Sequence, residues 1–289
     1  MVQTIQESLA YGKGATSDGR SVEYLDTVEA YNKWAEVYDT DGNFLQALDT
    51  IEMRDLLPRF LALVSQSEEE SVQHKELELV DLGCGTGRNT LQLARAAPRG
   101  AQIVGVDASP GMLDVARATL QREMERGAGE GSANRLTLGV YDLLSHPETG
   151  YLPAVLEGRK AAGVISTLVL EHIPVDTFFG GAARLVRPGG YLLVTNMHAE
   201  MGRISQAGFV DVKSGRKIRP QSYAHAVPDV IAAAERVGFE VVALGDGDRK
   251  EKVRERRVDE GMVDQLGARG RKWVGVMVWF GVCFRLKAD

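Results

Sequence analysis

The sequence is poor in cysteine. Cys84 and Cys283 are the only two among 289 residues, and neither belongs to a CxxC pair. So little cysteine argues against a disulfide framework, and no cluster of histidine and cysteine has the spacing of a metal site. We therefore expect neither structural disulfides nor a bound metal ion.

Long hydrophobic runs and an excess of positive charge are also missing. No stretch is long and apolar enough to span a membrane, and the first residues show no basic region followed by an apolar one. The formal net charge of −6 is opposite in sign to what binding to nucleic acid phosphates requires. These features predict a cytoplasmic protein that binds neither membranes nor nucleic acid.

The first 76 residues indicate helices rather than a sheet. Residues 1–20 are polar and contain several glycines, which is typical of a disordered tail. Apolar residues recur at helical spacing over residues 22–38. A second helix is predicted over residues 44–64, with a kink or a new start at Pro58. Residues 21–76 are thus predicted to form a helical N-terminal lid.

From residue 77 onwards, predicted strands alternate with predicted helices. The predicted strands are residues 77–82, 102–106, 135–140, 161–167, 191–196, 239–244 and 273–286. The predicted helices are residues 89–97, 110–125, 175–186 and 228–237, with a charged helix at 249–266. This order predicts an α/β domain over residues 77–289, with a doubly wound parallel sheet and helices on both faces. Residues 197–226 break the alternation and are interpreted as an insertion on the substrate side.

A glycine-rich loop follows the first predicted strand. Residues 80–87 read Val-Asp-Leu-Gly-Cys-Gly-Thr-Gly, and a helix-compatible run follows at once. A dinucleotide fingerprint is excluded because Arg88 occupies the position of its third glycine, and no Lys-Ser or Lys-Thr pair of a P-loop follows. The carboxylate of Asp81, two residues before the first glycine, suits a ligand with an ammonium group rather than phosphates.

Polar residues also follow the next predicted strands. Asp107 ends the second strand, where its carboxylate can accept both hydroxyls of a ribose, and Asp142 follows the third. The fourth strand leads into Thr167, Leu168 and, four residues later, His172. Because the carboxyl ends of parallel strands meet at one edge of a sheet, we expect these groups to share one ligand crevice.

Together these segments resemble the class I S-adenosylmethionine-dependent methyltransferases. The resemblance rests on residues 81–87, Gly105–Asp107, Asp142, residues 168–173 and residues 185–190. It implies a Rossmann-like, seven-stranded, mostly parallel sheet, and S-adenosyl-L-methionine as the cofactor. The cofactor-binding residues that it implies, together with lid residues that could cover the cofactor, are Tyr24, Trp34, Tyr38, Asp81, Gly83, Cys84, Gly85, Asp107, Ala108, Met112, Asp142, Leu143, Thr167 and Leu168.

The segments at residues 31–43, 201–211 and 218–225 narrow the resemblance. They are similar to fungal secondary-metabolite methyltransferases of small molecules, the gliotoxin bis-thiomethyltransferase among them. This similarity implies a small-molecule acceptor, such as the dithiol of reduced gliotoxin. Transfer to the oxygen or nitrogen of another metabolite remains an alternative. A thiol with a pKa near ~8.5 is partly ionised at neutral pH and needs little help from a base.

The catalytic candidates are His172, after the fourth strand, and Tyr38, at the end of the lid helix. The candidate substrate-binding residues are His172, His198, Met201, Phe209, Tyr223 and His225. Each has a purely structural alternative: the aromatic residues of the lid can be core packing, a histidine can be held by structural hydrogen bonds, and residues 197–226 can be a surface hairpin.

Two other classes of protein stay open on the residues alone. One is an oxidoreductase with a nucleotide cofactor, which the missing third glycine disfavours. The other is a cofactor-binding regulatory protein without turnover. For the assembly, we expect a monomer or a weak homodimer.

Overall fold

The computed structural model of the chain describes residues 4–7, 22–69, 77–126, 135–145, 152–244 and 251–288. Its strands are β1 Val22–Leu25, β2 Glu78–Leu82, β3 Gln102–Asp107, β4 Arg135–Val140, β5 Ala161–Thr167, β6 Val186–Met197, β7 Phe209–Val210, β8 Lys217–Pro220, β9 Phe239–Val242, β10 Val253–Arg257 and β11 Met277–Leu286. Its helices are α1 Thr27–Trp34, α2 Phe44–Glu69, α3 Arg88–Ala96, α4 Pro110–Arg126, α5 Val175–Leu185, α6 Ala199–Gly202, α7 Val227–Arg236 and α8 Val263–Leu266. In this part of the chain, none of the helices is long and apolar enough to cross a membrane.

The central sheet has the order β10-β11-β6-β5-β2-β3-β4, and β9 pairs with the other half of the outer edge of β11. The pairs β3–β4, β2–β3, β2–β5 and β5–β6 are parallel, and β11 is antiparallel to all its neighbours. The predicted α/β fold with a mostly parallel sheet is confirmed. The sheet has eight strands rather than seven because two short strands, β9 and β10, both pair with the outer edge of β11.

The extra strand is β10, which lies in the segment that the sequence predicted to be a charged helix. That prediction is wrong for Val253–Arg257. Arg254 and Arg256 are two positions apart on the strand and lie on the same side of it, where both contact Glu52 of α2, at 3.4 and 2.5 Å. These two arginines of the predicted charged helix therefore belong to an edge strand, where they pair with an acidic residue of the lid.

Hydrophobic clusters cover both faces of the sheet. Successive residues of one strand point to opposite faces, so Leu79 packs under α2 while Val80 packs towards α5 and α7. Strands that are covered on both sides carry apolar residues at nearly every position, as β5 does, with seven buried residues out of seven. This double burial holds the carboxyl ends of the strands at one edge.

The N-terminal region is not purely helical, which corrects the predicted lid. Val22–Leu25 is a strand that pairs in parallel with β8, and α1 begins only after Asp26, which accepts a hydrogen bond from the Val28 backbone N–H at 2.9 Å. Strand β7 completes this small sheet, so residues from the predicted insertion join the lid. Helix α2 runs through Pro58 without a new start.

Four residues of the predicted disordered tail are ordered against the protein. Ile5 is only 1% exposed and packs into the same hydrophobic cluster as α2. Its backbone N–H donates to the Ser222 carbonyl at 2.8 Å. The expectation of a disordered tail therefore does not hold for residues 4–7, and the remainder of residues 1–20 lies outside the described residues.

Candidate active site

A cavity opens at the carboxyl ends of β2, β3 and β5, under α1. Its empty volume is about 760 Å³, part of which is open to solvent. Ten of the predicted cofactor-binding residues line it: Tyr38, Gly83, Gly85, Asp107, Ala108, Met112, Asp142, Leu143, Thr167 and Leu168.

The glycine loop forms the floor of the cavity. Gly83 has φ +75°, and a Cβ atom there would lie 2.2 Å from Cγ2 of Val169, so only glycine fits. Gly85 has φ +54°, and a Cβ there would meet nothing within 4 Å. The loop thus packs tightly behind Gly83 and leaves open space beside Gly85, where the backbone can approach a ligand closely.

The carboxylate of Asp107 stands at the end of β3. Oδ2 accepts from the backbone N–H of Gly85 and Oδ1 from that of Ser109, both at 2.8 Å. Burial raises the pKa of Asp107, while the two backbone hydrogen bonds oppose that rise. Because an ionised carboxylate offers about four acceptor sites, two remain for a ligand's hydroxyl groups.

Asp142 is held in a similar way on the same wall. Oδ1 accepts from the Leu144 backbone N–H at 2.8 Å, and Oδ2 accepts from the Ser145 hydroxyl at 2.5 Å. These bonds close a short turn after β4 and fix the carboxylate at the cavity lining. Acceptor sites remain on both oxygens here too.

Asp81 and Cys84 do not line the cavity, although the resemblance implied that they would contact the cofactor. Asp81 lies behind the loop, with Oδ2 accepting from the Thr90 hydroxyl at 2.6 Å. In the described structure Oδ1 is buried without a hydrogen-bond partner, and burial raises the pKa of Asp81 to about 7. Cys84 is also buried, and burial raises the pKa of its thiol, which makes it a poor nucleophile.

The end of β5 is braced by a residue that the sequence did not single out. Asp49, fully buried on α2, accepts from Arg88 Nη2 at 2.6 Å, Thr195 Oγ1 at 2.5 Å and Trp279 Nε1 at 3.0 Å. It also lies 3.4 Å from Asn89 Nδ2, an amide nitrogen that donates to Thr167 Oγ1 at 2.8 Å. One carboxylate therefore ties the lid helix to the glycine loop and to the cavity wall.

Leu168 follows Thr167 with a backbone conformation that is rare for a residue with a side chain. Its φ is +58°, and its backbone N–H donates to the Thr195 carbonyl at 2.8 Å. Left-handed backbone outside glycine is costly, and it clusters at ligand sites. Here it turns the chain from β5 into the short helical turn Leu170–His172.

Tyr31 and His172 form a hydrogen-bonded pair in the cavity lining. The Tyr31 hydroxyl lies 2.7 Å from His172 Nε2, and His172 Nδ1 lies 2.9 Å from the Gln221 carbonyl oxygen. A carbonyl can only accept, so Nδ1 carries the proton and Nε2 accepts from the Tyr31 hydroxyl. Burial lowers the pKa of His172 to about 4, and it raises the pKa of Tyr31 well above its usual value. Both groups are therefore neutral at physiological pH.

Two lid aromatics predicted to cover the cofactor lie elsewhere. Trp34 is buried beneath the lid, where its ring stacks on Phe209 with centroids 5.0 Å apart and its Nε1 donates to Asp41 at 2.8 Å. Tyr24 lies on β1 with 37% of its surface exposed. The lid aromatics that reach the cavity are Tyr31 and Tyr38.

Among the predicted substrate-binding residues, only His172 lines the cavity. His198 caps α6 by accepting from the Glu200 backbone N–H, and it contacts Glu255 at 3.1 Å. Phe209 packs with Trp34, and Met201 is buried in the hydrophobic cluster that contains α2.

Tyr223 and His225 lie behind His172 instead. The backbone N–H of Tyr223 donates to the Glu171 carbonyl at 2.7 Å, and His225 Nε2 donates to the Ile173 carbonyl at 2.9 Å. Their rings stack on each other.

The sequence missed several residues of the cavity lining. They are Thr27, Val28, Leu82, Ser109, Tyr141, Leu144, Val169 and Ile173, and Tyr31 had been assigned only to the lid. Most of them adjoin a predicted strand tip, so proximity in the chain is the signal that could have identified them. Thr27 and Val28 required the position of α1 over the sheet.

Comparison with known proteins decides the family. The family described as a methyltransferase domain matches residues 80–194. An uncharacterized methyltransferase of Emericella nidulans is 65% identical over 288 residues, with 97% of this chain and 99% of that protein covered. The chain belongs to the class I S-adenosylmethionine-dependent methyltransferases. Its cofactor is S-adenosylmethionine, as the resemblance implied.

A more distant relative and a structural neighbour are named for different acceptor atoms. The ubiquinone biosynthesis O-methyltransferase of Sinorhizobium fredii is 26% identical over 183 residues, covering 61% of this chain and 64% of that protein. Phosphoethanolamine N-methyltransferase 2 of Haemonchus contortus superposes with a TM-score of 0.51 at 17% identity, covering all of this chain and 61% of that one. The second comparison shows a shared fold and nothing about the acceptor.

The residues of this methyltransferase fit the cofactor. Beside Gly85 the cavity has room for a ligand against the backbone, and Asp107 and Asp142 present carboxylate oxygens with acceptor sites to spare. Asp81 keeps a buried oxygen without a donor behind the same loop. Uncompensated buried acceptors are rare in proteins, and a cationic ligand bound against this loop would favour the ionised form of Asp81.

Proposed function

We propose that this methyltransferase transfers the methyl group to the sulfur of a small, uncharged thiol. The observation that carries the proposal is the 2.7 Å hydrogen bond between Tyr31 and the neutral His172 at the cavity wall. The Tyr31 oxygen can accept the proton of an acceptor while its own proton passes to Nε2. Of the two catalytic candidates from the sequence, this proposal keeps His172 as the proton acceptor and adds Tyr31, whereas Tyr38 lines the cavity beside them.

In this proposal the cavity holds both substrates. Bound S-adenosylmethionine supplies an electrophilic methyl group on a sulfonium. Asp107 would accept from the ribose hydroxyls and Asp142 from the adenine amine, and the backbone beside Gly85 would line the methionine part. The lid side of the cavity, with Tyr31 and Tyr38, is left for the acceptor and for excluding water.

The weakness of the base favours an acidic acceptor. Full transfer of a proton from a thiol of pKa ~8.5 to His172 would be uphill by roughly 4–5 pKa units, or about 6 kcal/mol, so the proton moves towards the Tyr31–His172 pair during methyl transfer rather than before it. For a protonated amine of pKa ~10.4, the same transfer is uphill by roughly 6 pKa units, or about 9 kcal/mol. The difference of about 3 kcal/mol comes from the acceptors' own pKa values and favours the thiol, and burial of His172 adds the same cost to both.

The charges at the cavity favour an acceptor without a phosphate or carboxylate. Of the residues in the described part of the chain that line it, none is lysine or arginine, whereas Asp107 and Asp142 are acidic. An anionic acceptor would therefore find no lysine or arginine in the lining to compensate its charge. This feature argues against a substrate like the phosphomonomethylethanolamine that is bound in the Haemonchus contortus enzyme.

A phenol is the second candidate acceptor. Its pKa of ~10 requires a climb of roughly 6 units to His172, about 2 kcal/mol more than for a thiol. The related O-methyltransferase of ubiquinone biosynthesis keeps this alternative open. The same Tyr31–His172 pair would accept the phenolic proton.

Transfer of radiolabel from methyl-labelled S-adenosylmethionine to size-matched acceptors tests the proposal. The set comprises aromatic and aliphatic thiols and dithiols, phenols, amines and a phosphorylated amine. We expect the highest kcat/KM with a thiol, a lower value with a phenol, and little product with amines or phosphorylated acceptors. Preferred turnover of an amine or of an anionic acceptor would contradict the proposal.

A further inference from the structure

Three layers of backbone stand behind the imidazole of His172. The innermost layer is the turn at residues 170–173, which carries His172 itself. The middle layer is the clasp, which we define as residues 221–225. The outermost layer is the strap, which we define as residues 4–7 near the start of the chain. Each layer is hydrogen-bonded to the next.

The clasp contacts three successive residues of the turn. The Gln221 carbonyl accepts from His172 Nδ1, the Tyr223 N–H donates to the Glu171 carbonyl, and His225 Nε2 donates to the Ile173 carbonyl. These bonds span 2.7–2.9 Å. They select the His172 tautomer in which Nε2 accepts from the Tyr31 hydroxyl.

The strap holds the clasp from the opposite side. The Ile5 backbone N–H donates to the Ser222 carbonyl at 2.8 Å, and Thr4 forms an antiparallel bridge with Tyr223. The side chain of Ile5 is buried in the cluster that contains α2, which anchors the strap to the body of the protein. Glu7 reinforces it by accepting from the Thr4 backbone N–H at 2.8 Å.

We propose that the strap is a positioning element for the proton-accepting histidine, with Ile5 as its anchor acting through Ser222 and Gln221. The contacts form one unbroken series from Ile5 to the Tyr31 hydroxyl. Helical packing does not substitute for it, because the clasp itself lies between β8 and α7 and has no regular secondary structure. The inference rests on the proposed function only for the role of His172 as proton acceptor.

Release of the strap has a consequence for the charge of His172. The groups that face the imidazole are the hydroxyls of Tyr31 and Ser222, the Gln221 carbonyl and the Glu171 carboxyl. The Ser222 hydroxyl lies 3.5 Å from Nδ1, and Glu171 Oε1 lies 3.9 Å from Nε2. Burial is the largest cause that lowers the pKa of His172, and the Gln221 hydrogen bond opposes it. If water enters a loosened clasp, the effect of burial and the effect of the Gln221 hydrogen bond both become weaker. Because burial is the larger of the two, the pKa of His172 rises.

The variants Ile5→Ala and a deletion of residues 2–7 test the inference, with Gln6→Ala as an exposed control from the same segment. Long-range ¹H–¹⁵N spectra of histidine-labelled protein report the tautomer and pKa of His172 without any acceptor. The signal is assigned with His172→Gln. Calorimetry with S-adenosylhomocysteine monitors the cofactor site in parallel.

We expect both strap variants to raise the pKa of His172 by roughly one unit or more. We also expect them to mix its tautomers and leave S-adenosylhomocysteine affinity within about twofold. Gln6→Ala should match the wild type. An unshifted pKa and tautomer would overturn the inference, as would a parallel loss of cofactor affinity, which indicates general destabilisation. Failure of all acceptors to turn over would instead count against the proposed function, because the spectra do not depend on turnover.

Discussion

Replacing Asp49 is expected to destabilise the protein more than any surface substitution. Asp49→Ala removes the acceptor of Arg88, Thr195 and Trp279 at once. Arg88 is 22% exposed and can partly rehydrate, whereas the other two donors are buried. Breaking a buried ion pair on one side costs about 3–5 kcal/mol. For a domain of this size that lowers Tm by roughly 10 °C.

Differential scanning calorimetry measures this effect, and a matched control is available on the same helix. Asp55 pairs with Arg59 and Arg254 at the surface, so Asp55→Ala should change stability by less than about 1 kcal/mol. Asp49→Asn should lie between the two, because its remaining oxygen still accepts from Thr195 and Trp279. A Tm for Asp49→Ala within about 2 °C of the wild type would refute the assigned role of this network.

Three further predictions concern the cofactor side of the cavity. Gly83→Ala should abolish S-adenosylhomocysteine binding in calorimetry, because the new Cβ would lie 2.2 Å from Val169 at a φ of +75°. The control is Gly100→Ala, which has a φ of +87° but nothing within 4 Å of the new Cβ. Equal affinity of the two variants would contradict the reasoning. Asp107→Asn should weaken binding about tenfold or more through loss of charge-assisted hydrogen bonds, and unchanged affinity would remove Asp107 from the site. Burial raises the pKa of Asp81 to about 7, so its contribution to the stability of the apo-protein is present below pH ~4 and is lost as the pH rises to 7. Asp81→Asn should therefore flatten that part of the plot of Tm against pH. Parallel curves for the variant and the wild type would contradict the raised pKa of Asp81.

The central strands and the glycine loop could be predicted because their signals are local. The predicted strands 135–140 and 161–167 coincide with β4 and β5. A run of apolar residues, a glycine with positive φ and a carboxylate at a strand tip lie close together in the chain. For that reason the sequence alone places Asp107 and Asp142 at one edge of the sheet.

The lid could not be predicted in the same way because its contacts are distant in sequence. Val22–Leu25 becomes a strand only by pairing with Lys217–Pro220, and nothing near residue 22 indicates that partner. Likewise, helical spacing places Trp34 and Tyr31 on neighbouring positions of one helix. Only the position of Phe209 shows that Trp34 is core packing while Tyr31 faces the cavity.

Asp49 illustrates a second limit of the sequence. A single carboxylate in a helix is usually solvated, and its partners come from α3, β6 and β11. No spacing rule connects residues so far apart. The clasp behind His172 is hidden for the same reason, since residues 221–225 resemble a loop until the turn at residues 170–173 is placed beside them.

The pH dependence of Tyr31→Phe turnover with a thiol tests the central claim most directly. About 3% of a thiol with pKa ~8.5 is ionised at pH 7, so removing its proton acceptor can cost up to about 30-fold in rate. At pH 9.5 the acceptor ionises unaided. The account predicts a loss of roughly 30-fold at pH 7 that shrinks to about twofold at pH 9.5, with Tyr24→Phe unaffected. Wild-type rates at pH 7, or a loss that does not change with pH, would contradict it.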